Sequence, residues 1–134
     1  MLTKRLQLMF LAALCFTVGT MGSVLADVPD SKQHEVQYLL SFVKQSPCVL
    51  ERNGKNHSGS DAVKHIQKKY DYFRDEIQTA EAFIDYSATK STMSGRYYKV
   101  YCPDKETRKT SEWLLEALSS YRLSHSISNA ASDR

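Results

Sequence analysis

The sequence predicts an α+β fold of about four helices packed on a small two- or three-stranded sheet and stapled by one disulfide. Three observations predict it. Apolar residues recur at helical spacing in four separate stretches. Two short runs, Cys48 to Arg52 and Tyr97 to Cys102, read as strands. Two cysteines, Cys48 and Cys102, survive in what reads as an exported chain of 134 residues.

The expectation of export rests on residues 1–26. Lys4 and Arg5 precede an apolar run from Leu6 to Val18, and Val24-Leu25-Ala26 offers an A-x-A-like cleavage site. The apolar run breaks at Gly19 and Gly22, short of the roughly 20 residues a spanning helix needs. The expected organisation is therefore a signal peptide over 1–26, one α+β domain over 27–122 and a flexible polar tail over 123–134. Stable membrane insertion is not expected once the signal is cleaved, and the expected location is the periplasm.

Cleavage simplifies both the charge and the cysteines. Removing Lys4 and Arg5 from the 18 basic residues leaves 16 against 15 acidic ones. That near-neutral balance gives no support for nucleic acid as a partner. Cys15 leaves with the signal, and Leu14 stands where a lipobox wants a small residue. Cys48 and Cys102 then have one possible pairing, and the absence of C-x-x-C spacing favours a structural bond over a redox pair.

Each element has a local reason. Asp30 or Ser31 can cap a first helix carrying Val36, Leu39, Leu40 and Val43, which Ser46-Pro47 stops. Asn53-Gly54 is a strong hairpin signal after the first strand, and Lys55 to His57 can form a return strand. Ser58 with Asp61 makes a capping-box-like start to a second helix with the stripe Ala62, Val63, Ile66, Tyr70, Phe73 and Ile77. Asp61, Lys64, Lys68, Asp71 and Asp75 fall on the other side and read as a solvated face. Thr79 can cap a short helix bearing Ala80, Phe83, Ile84 and Ala88. A polar loop, Thr89 to Arg96, leads to the second strand, which Pro103 ends. Thr110 or Ser111 opens the last helix with Trp113, Leu114, Ala117, Leu118 and Tyr121 on one face.

Several blocks in order carry a resemblance. They are Glu51-Arg52-Asn53-Gly54 with His57, Ala62, His65 and Lys69, then Thr79-Ala80-Glu81-Ala82-Phe83-Ile84, then Ser91-Thr92-Met93-Ser94-Gly95 with Tyr98. Glu112-Trp113-Leu114 and Tyr121-Arg122 complete the series. Over roughly residues 35–122 the chain resembles the YfeK-like family of small exported bacterial proteins, a domain of unknown function. The resemblance implies a bacterial, periplasmic home and brings no catalytic residues, activity or cofactor with it.

The candidate site is a binding surface of Arg52, Asn53, His57, His65 and Lys69, with Ser94. Arg52 would be a fork-like anion contact, Lys69 a point charge, and the histidines pH-dependent donors. The alternative for Asn53-Gly54 and His65 is purely structural. The expected function is a non-enzymatic binding or accessory module for an envelope partner or small anionic ligand. The alternative is a small hydrolase or lyase using His57 or His65 as general base.

Other motifs lead less far. A zinc site of His57 and His65 with Asp61 or Glu51 fits no H-E-x-x-H spacing, so no metal and no cofactor are expected. Ser87-Ala88-Thr89-Lys90 matches S-x-x-K, but so does Ser41-Phe42-Val43-Lys44, and both read as chance. The segment Ser91 to Gly95 can form an anion-gripping backbone nest or a simple loop. Tyr72, Tyr97 and Tyr101 offer either an aromatic contact surface or a cover for the core. Asn56-His57-Ser58 is a glycosylation sequon only in a eukaryotic secretory pathway.

Overall fold

The structure is a computed structural model that describes residues 27–132. The signal-peptide expectation falls outside the described residues. Within them the order is α1 (Asp30–Gln45), β1 (Val49–Arg52), β2 (Lys55–His57), α2 (Gly59–Tyr72), a 3-10 turn (Arg74–Glu76), α3 (Ala80–Ala88), β3 (Lys99–Tyr101), β4 (Arg108–Lys109) and α4 (Thr110–Ser132). The fold is α+β, with four helices against a four-stranded antiparallel sheet ordered β2-β1-β3-β4. The fourth strand is only two residues long, too short to leave a period-2 signal.

Register decides which side chains meet the helices. Leu50 pairs with both His57 and Val100, and Val100 pairs with Arg108. These four therefore form one row across the sheet. Leu50 and Val100 are buried under the helices, and α2 contacts β1 and β2 while α4 contacts β3 and β4. The opposite face carries Val49, Glu51 and Tyr101, with Val49 and Tyr101 exposed. Arg52, two residues beyond Leu50, shares the inward face and so points to the α2 side.

The core is built by the stripes the sequence marks. Val36, Ile77, Phe83 and Leu114 are fully buried, and Ile66, Tyr70, Ile84, Ala88 and Leu118 join them. Ser58 accepts a hydrogen bond from the Asp61 backbone N–H at 3.2 Å, and Thr79 accepts one from that of Ala82 at 3.0 Å. Both helix starts are thus closed as expected. The start of α1 differs: Pro29 is the cap residue, without a side-chain hydrogen bond, and Asp30 lies in the first turn. There its carboxylate faces the positive end of the helix dipole.

Two close approaches fix the α1–β1–α2 corner. The Asn53-Gly54 turn has positive φ at both residues, 51° and 77°, as a two-residue hairpin turn requires. At Gly59 an added Cβ would lie 2.1 Å from the Val43 carbonyl oxygen. Only glycine lets the first turn of α2 pass so near the end of α1. Sequence reading had no basis for seeing this contact.

Cys48 and Cys102 form a disulfide with their Cα atoms 4.2 Å apart. Cys48 immediately precedes Val49 and Cys102 immediately follows Tyr101, the end pair of the antiparallel β1–β3 ladder, so the bond extends that ladder by one rung. At the other end of the chain, residues 123–132 continue α4, where a flexible tail was expected. No proline or glycine interrupts this stretch. Its side chains are exposed, and Ser124, Ser126, Ser128 and Ser132 return hydrogen bonds to carbonyls in the preceding turn.

Candidate functional site

The inward row of the hairpin and one face of α2 converge. Arg52, His57, Asp61, Lys64, His65 and Lys68 line a polar depression of about 310 Å³. The helical contributors fall at i, i+3, i+4 and i+7, a single face. Lys64 and Asp61 pair at 3.1 Å, so the carboxylate here already has a cation. That pair, with the Ser58 hydroxyl, holds Asp61 below its ordinary value, the Lys64 hydrogen bond contributing most.

His65 stands at the inner edge of this depression. Its Nε2 lies 3.1 Å from the buried Tyr98 hydroxyl. Burial first, and then the positive charges of Arg52, Lys69, His57 and Lys68, lower its pKa to about 4. The imidazole is therefore neutral at pH 7, with one N–H and one lone pair. Burial also pushes the Tyr98 phenol up. His57 lies in the same depression, and its Nε2 is buried without a hydrogen-bond partner among the described residues.

Of the six residues the sequence nominates, Arg52, His57 and His65 come together. Asn53 and Ser94 meet each other instead. Ser94 Oγ donates to Asn53 Oδ1 at 2.7 Å, and Asn53 Nδ2 donates to Ser91 Oγ at 3.3 Å. This pair locks the hairpin turn to the loop before β3. Lys69 turns away, donating to the Lys90 carbonyl at 2.6 Å with its ammonium 5.3 Å from the Tyr98 ring centre. It lines a separate cleft with Asp85, Tyr86 and Lys90.

Lys64 and Lys68 supply the cations that Lys69 does not. Sequence reading placed them on a solvated face, which is accurate as far as exposure goes. The signal available was their spacing around His65, not their hydrophobicity.

The remaining motifs resolve on geometry. Ser91 N–H donates to the Arg96 carbonyl, Gly95 N–H to the Ser91 carbonyl, and Ser94 N–H to Ser91 Oγ. These loop amides are engaged internally, which favours the simple-loop reading over a nest. Glu51 accepts from the Tyr101 hydroxyl on the outer face of the sheet, across from His57. A zinc site drawing on Glu51 and His57 together is thereby ruled out by register. No group of three or more His, Cys, Asp or Glu side chains is gathered for a metal among the described residues. Ser87 is fully buried while Lys90 is exposed, so their S-x-x-K spacing builds no nucleophile.

Residues 30–122 match the family of unknown function DUF5329. The chain belongs to this family. It is also 38% identical over 74 residues to the uncharacterized protein YfeK of Salmonella typhimurium, a match covering 54% of this chain and 62% of that protein. The chain thus spans less than two thirds of that relative's length. No solved structure matches it. The matched stretch of the family runs from the start of α1 to Arg122, and so includes every residue of the depression.

Proposed function

We propose that the protein is an exported, periplasmic binding module that takes a small anionic ligand, or the anionic group of an envelope partner, in the depression between the β1–β2 hairpin and α2. The observation that carries this reading is the gathering of Arg52, Lys64 and Lys68 with two histidines around one concave surface of about 310 Å³. Arg52 offers a planar fork of donors suited to a carboxylate or phosphate, and the lysines add mobile point charges. Asp61 offsets one cation, leaving the depression net positive.

Neutral His65 serves here as a hydrogen-bonding wall. A bound anion would partly cancel the cations that lower its pKa, so binding and proton uptake are coupled. The same low value makes His65 a weak general base near neutrality, where catalysis favours a pKa close to the working pH. Binding is therefore the better use of this geometry.

The test is calorimetric and NMR titration with inorganic phosphate and with acetate. Wild type should show saturable binding that weakens as salt rises. Arg52→Ala, with unchanged melting temperature, should bind about tenfold more weakly or worse, since a charge-assisted hydrogen bond is lost. Equal binding by a folded Arg52→Ala protein would remove this site from consideration.

A further inference from the structure

A second concavity lies on the other flank of the molecule, between α1, α4 and the β3–β4 segment, with a volume of about 520 Å³. That is within the range of small-molecule sites, and it is well above the volume of the anion depression. Its floor is aromatic. Tyr121 stacks on Tyr38 at 4.2 Å, Tyr38 on Phe42 at 6.0 Å, and Phe42 meets Trp113 at 4.8 Å. Tyr38, Phe42 and Trp113 of this ladder line the groove, with the Cys48–Cys102 bond and two prolines completing a stiff apolar wall.

The rim has a different character. Lys105, Glu106, Arg108 and Glu116 stand around it, two cations and two carboxylates. Arg108 pairs with Glu116 through a single guanidinium nitrogen and a single carboxylate oxygen, leaving further donors and an acceptor on the same two groups. The balanced charge disfavours an anion or a cation as occupant. An apolar floor beneath a rim of forked donors and acceptors suits a neutral molecule with one flat C–H face and a hydroxylated edge.

We propose that this groove binds a neutral saccharide, its C–H face on the aromatic floor and neighbouring hydroxyls on the Arg108–Glu116 pair. A pyranose ring has this two-sided character, and adjacent hydroxyls match the two-toothed carboxylate and guanidinium. A peptide offers single, widely spaced N–H and C=O groups and uses such forks less fully. The inference is independent of the anion site, with which the groove shares no lining residue.

Trp113 is the only tryptophan in the chain, so its fluorescence reports on this groove alone. The purified protein is titrated with diacetylchitobiose, cellobiose and maltose. The expected result is a saturable change in Trp113 emission with at least one of them in the millimolar range. Glu116→Ala, at an exposed helix position, should weaken it about tenfold or more with the melting temperature retained. No saturable change with any of the three, or equal affinity in Glu116→Ala, overturns the proposal. Saturation by a neutral proline-rich peptide with the saccharides inert would also overturn it and assign the groove to peptide.

Discussion

His65 shows how a single side chain ties the candidate site to stability. It is a neutral imidazole held against the Tyr98 hydroxyl, with a folded pKa of about 4 against an ordinary value of 6.5. Between those two values the unfolded chain binds a proton that the folded chain does not. Stability therefore falls as pH drops through this window, and it is independent of His65 above the upper value. In urea titrations from pH 7 to pH 4, wild type should lose stability, and His65→Gln should lose less over the same range. An unchanged slope in the variant would mean that His65 titrates normally in the folded state. Phosphate should flatten the wild-type slope if the anion sits beside this ring. The histidine's chemical type was legible in the sequence, but its pKa was not. Burial by Tyr98 and crowding by Arg52 come from elements far apart in the chain, and no local spacing encodes them.

Among the elements, α4 is tied to α1 and α3 by an ionic clamp. Arg122 donates two hydrogen bonds of 2.8 Å to Glu35 of α1 and also pairs with Glu81 of α3. Glu35 is only 3% exposed, and the Arg122 hydrogen bonds hold its carboxyl below the usual range. Removing Arg122 would leave that buried carboxylate without its fork. Arg122→Ala should cost about 3 kcal/mol at pH 7 in urea unfolding, and Arg122→Ala with Glu35→Gln should recover part of it. The Glu81 contact is exposed on both sides and contributes little. In acid the stabilisation from Glu35 is lost as pH falls through its folded value, which reinforces the His65 effect. The helices themselves were readable because Val36, Leu39, Phe83 and Leu114 follow a 3.6-residue period. The clamp was not, because Arg122 lies 87 residues from Glu35, and the only charge that local spacing offers Glu35 is Lys32, three residues before it at 3.8 Å. The helical state of residues 123–132 was hard to read for a related reason. Exposed serines lower helix propensity without forbidding a helix that already has a docked first half.

At the scale of the whole molecule, the sheet divides two concave surfaces. Its inward row runs from His57 through Leu50 and Val100 to Arg108, with α2 over one end and α4 over the other. The basic depression forms at the His57 end and the aromatic groove at the Arg108 end. Both therefore depend on the β1–β3 ladder keeping its register, and the disulfide adds its final rung. The pairing of Cys48 with Cys102 followed from counting thiols in a chain expected to be exported. Its position beside the Val49–Tyr101 pair required the sheet. Closing a loop with a sequence separation of 54 residues stabilises the fold by about 4 kcal/mol in the chain-entropy picture. Cys48→Ser with Cys102→Ser should lower urea stability by about that amount, and both sites should weaken together. Trp113 emission follows the unfolding: in the double variant it should shift toward that of a solvent-exposed indole at lower urea than in wild type. A double variant as stable as wild type would show that the α1–α4 seam and the Leu50–Val100 core hold the register without the covalent bond.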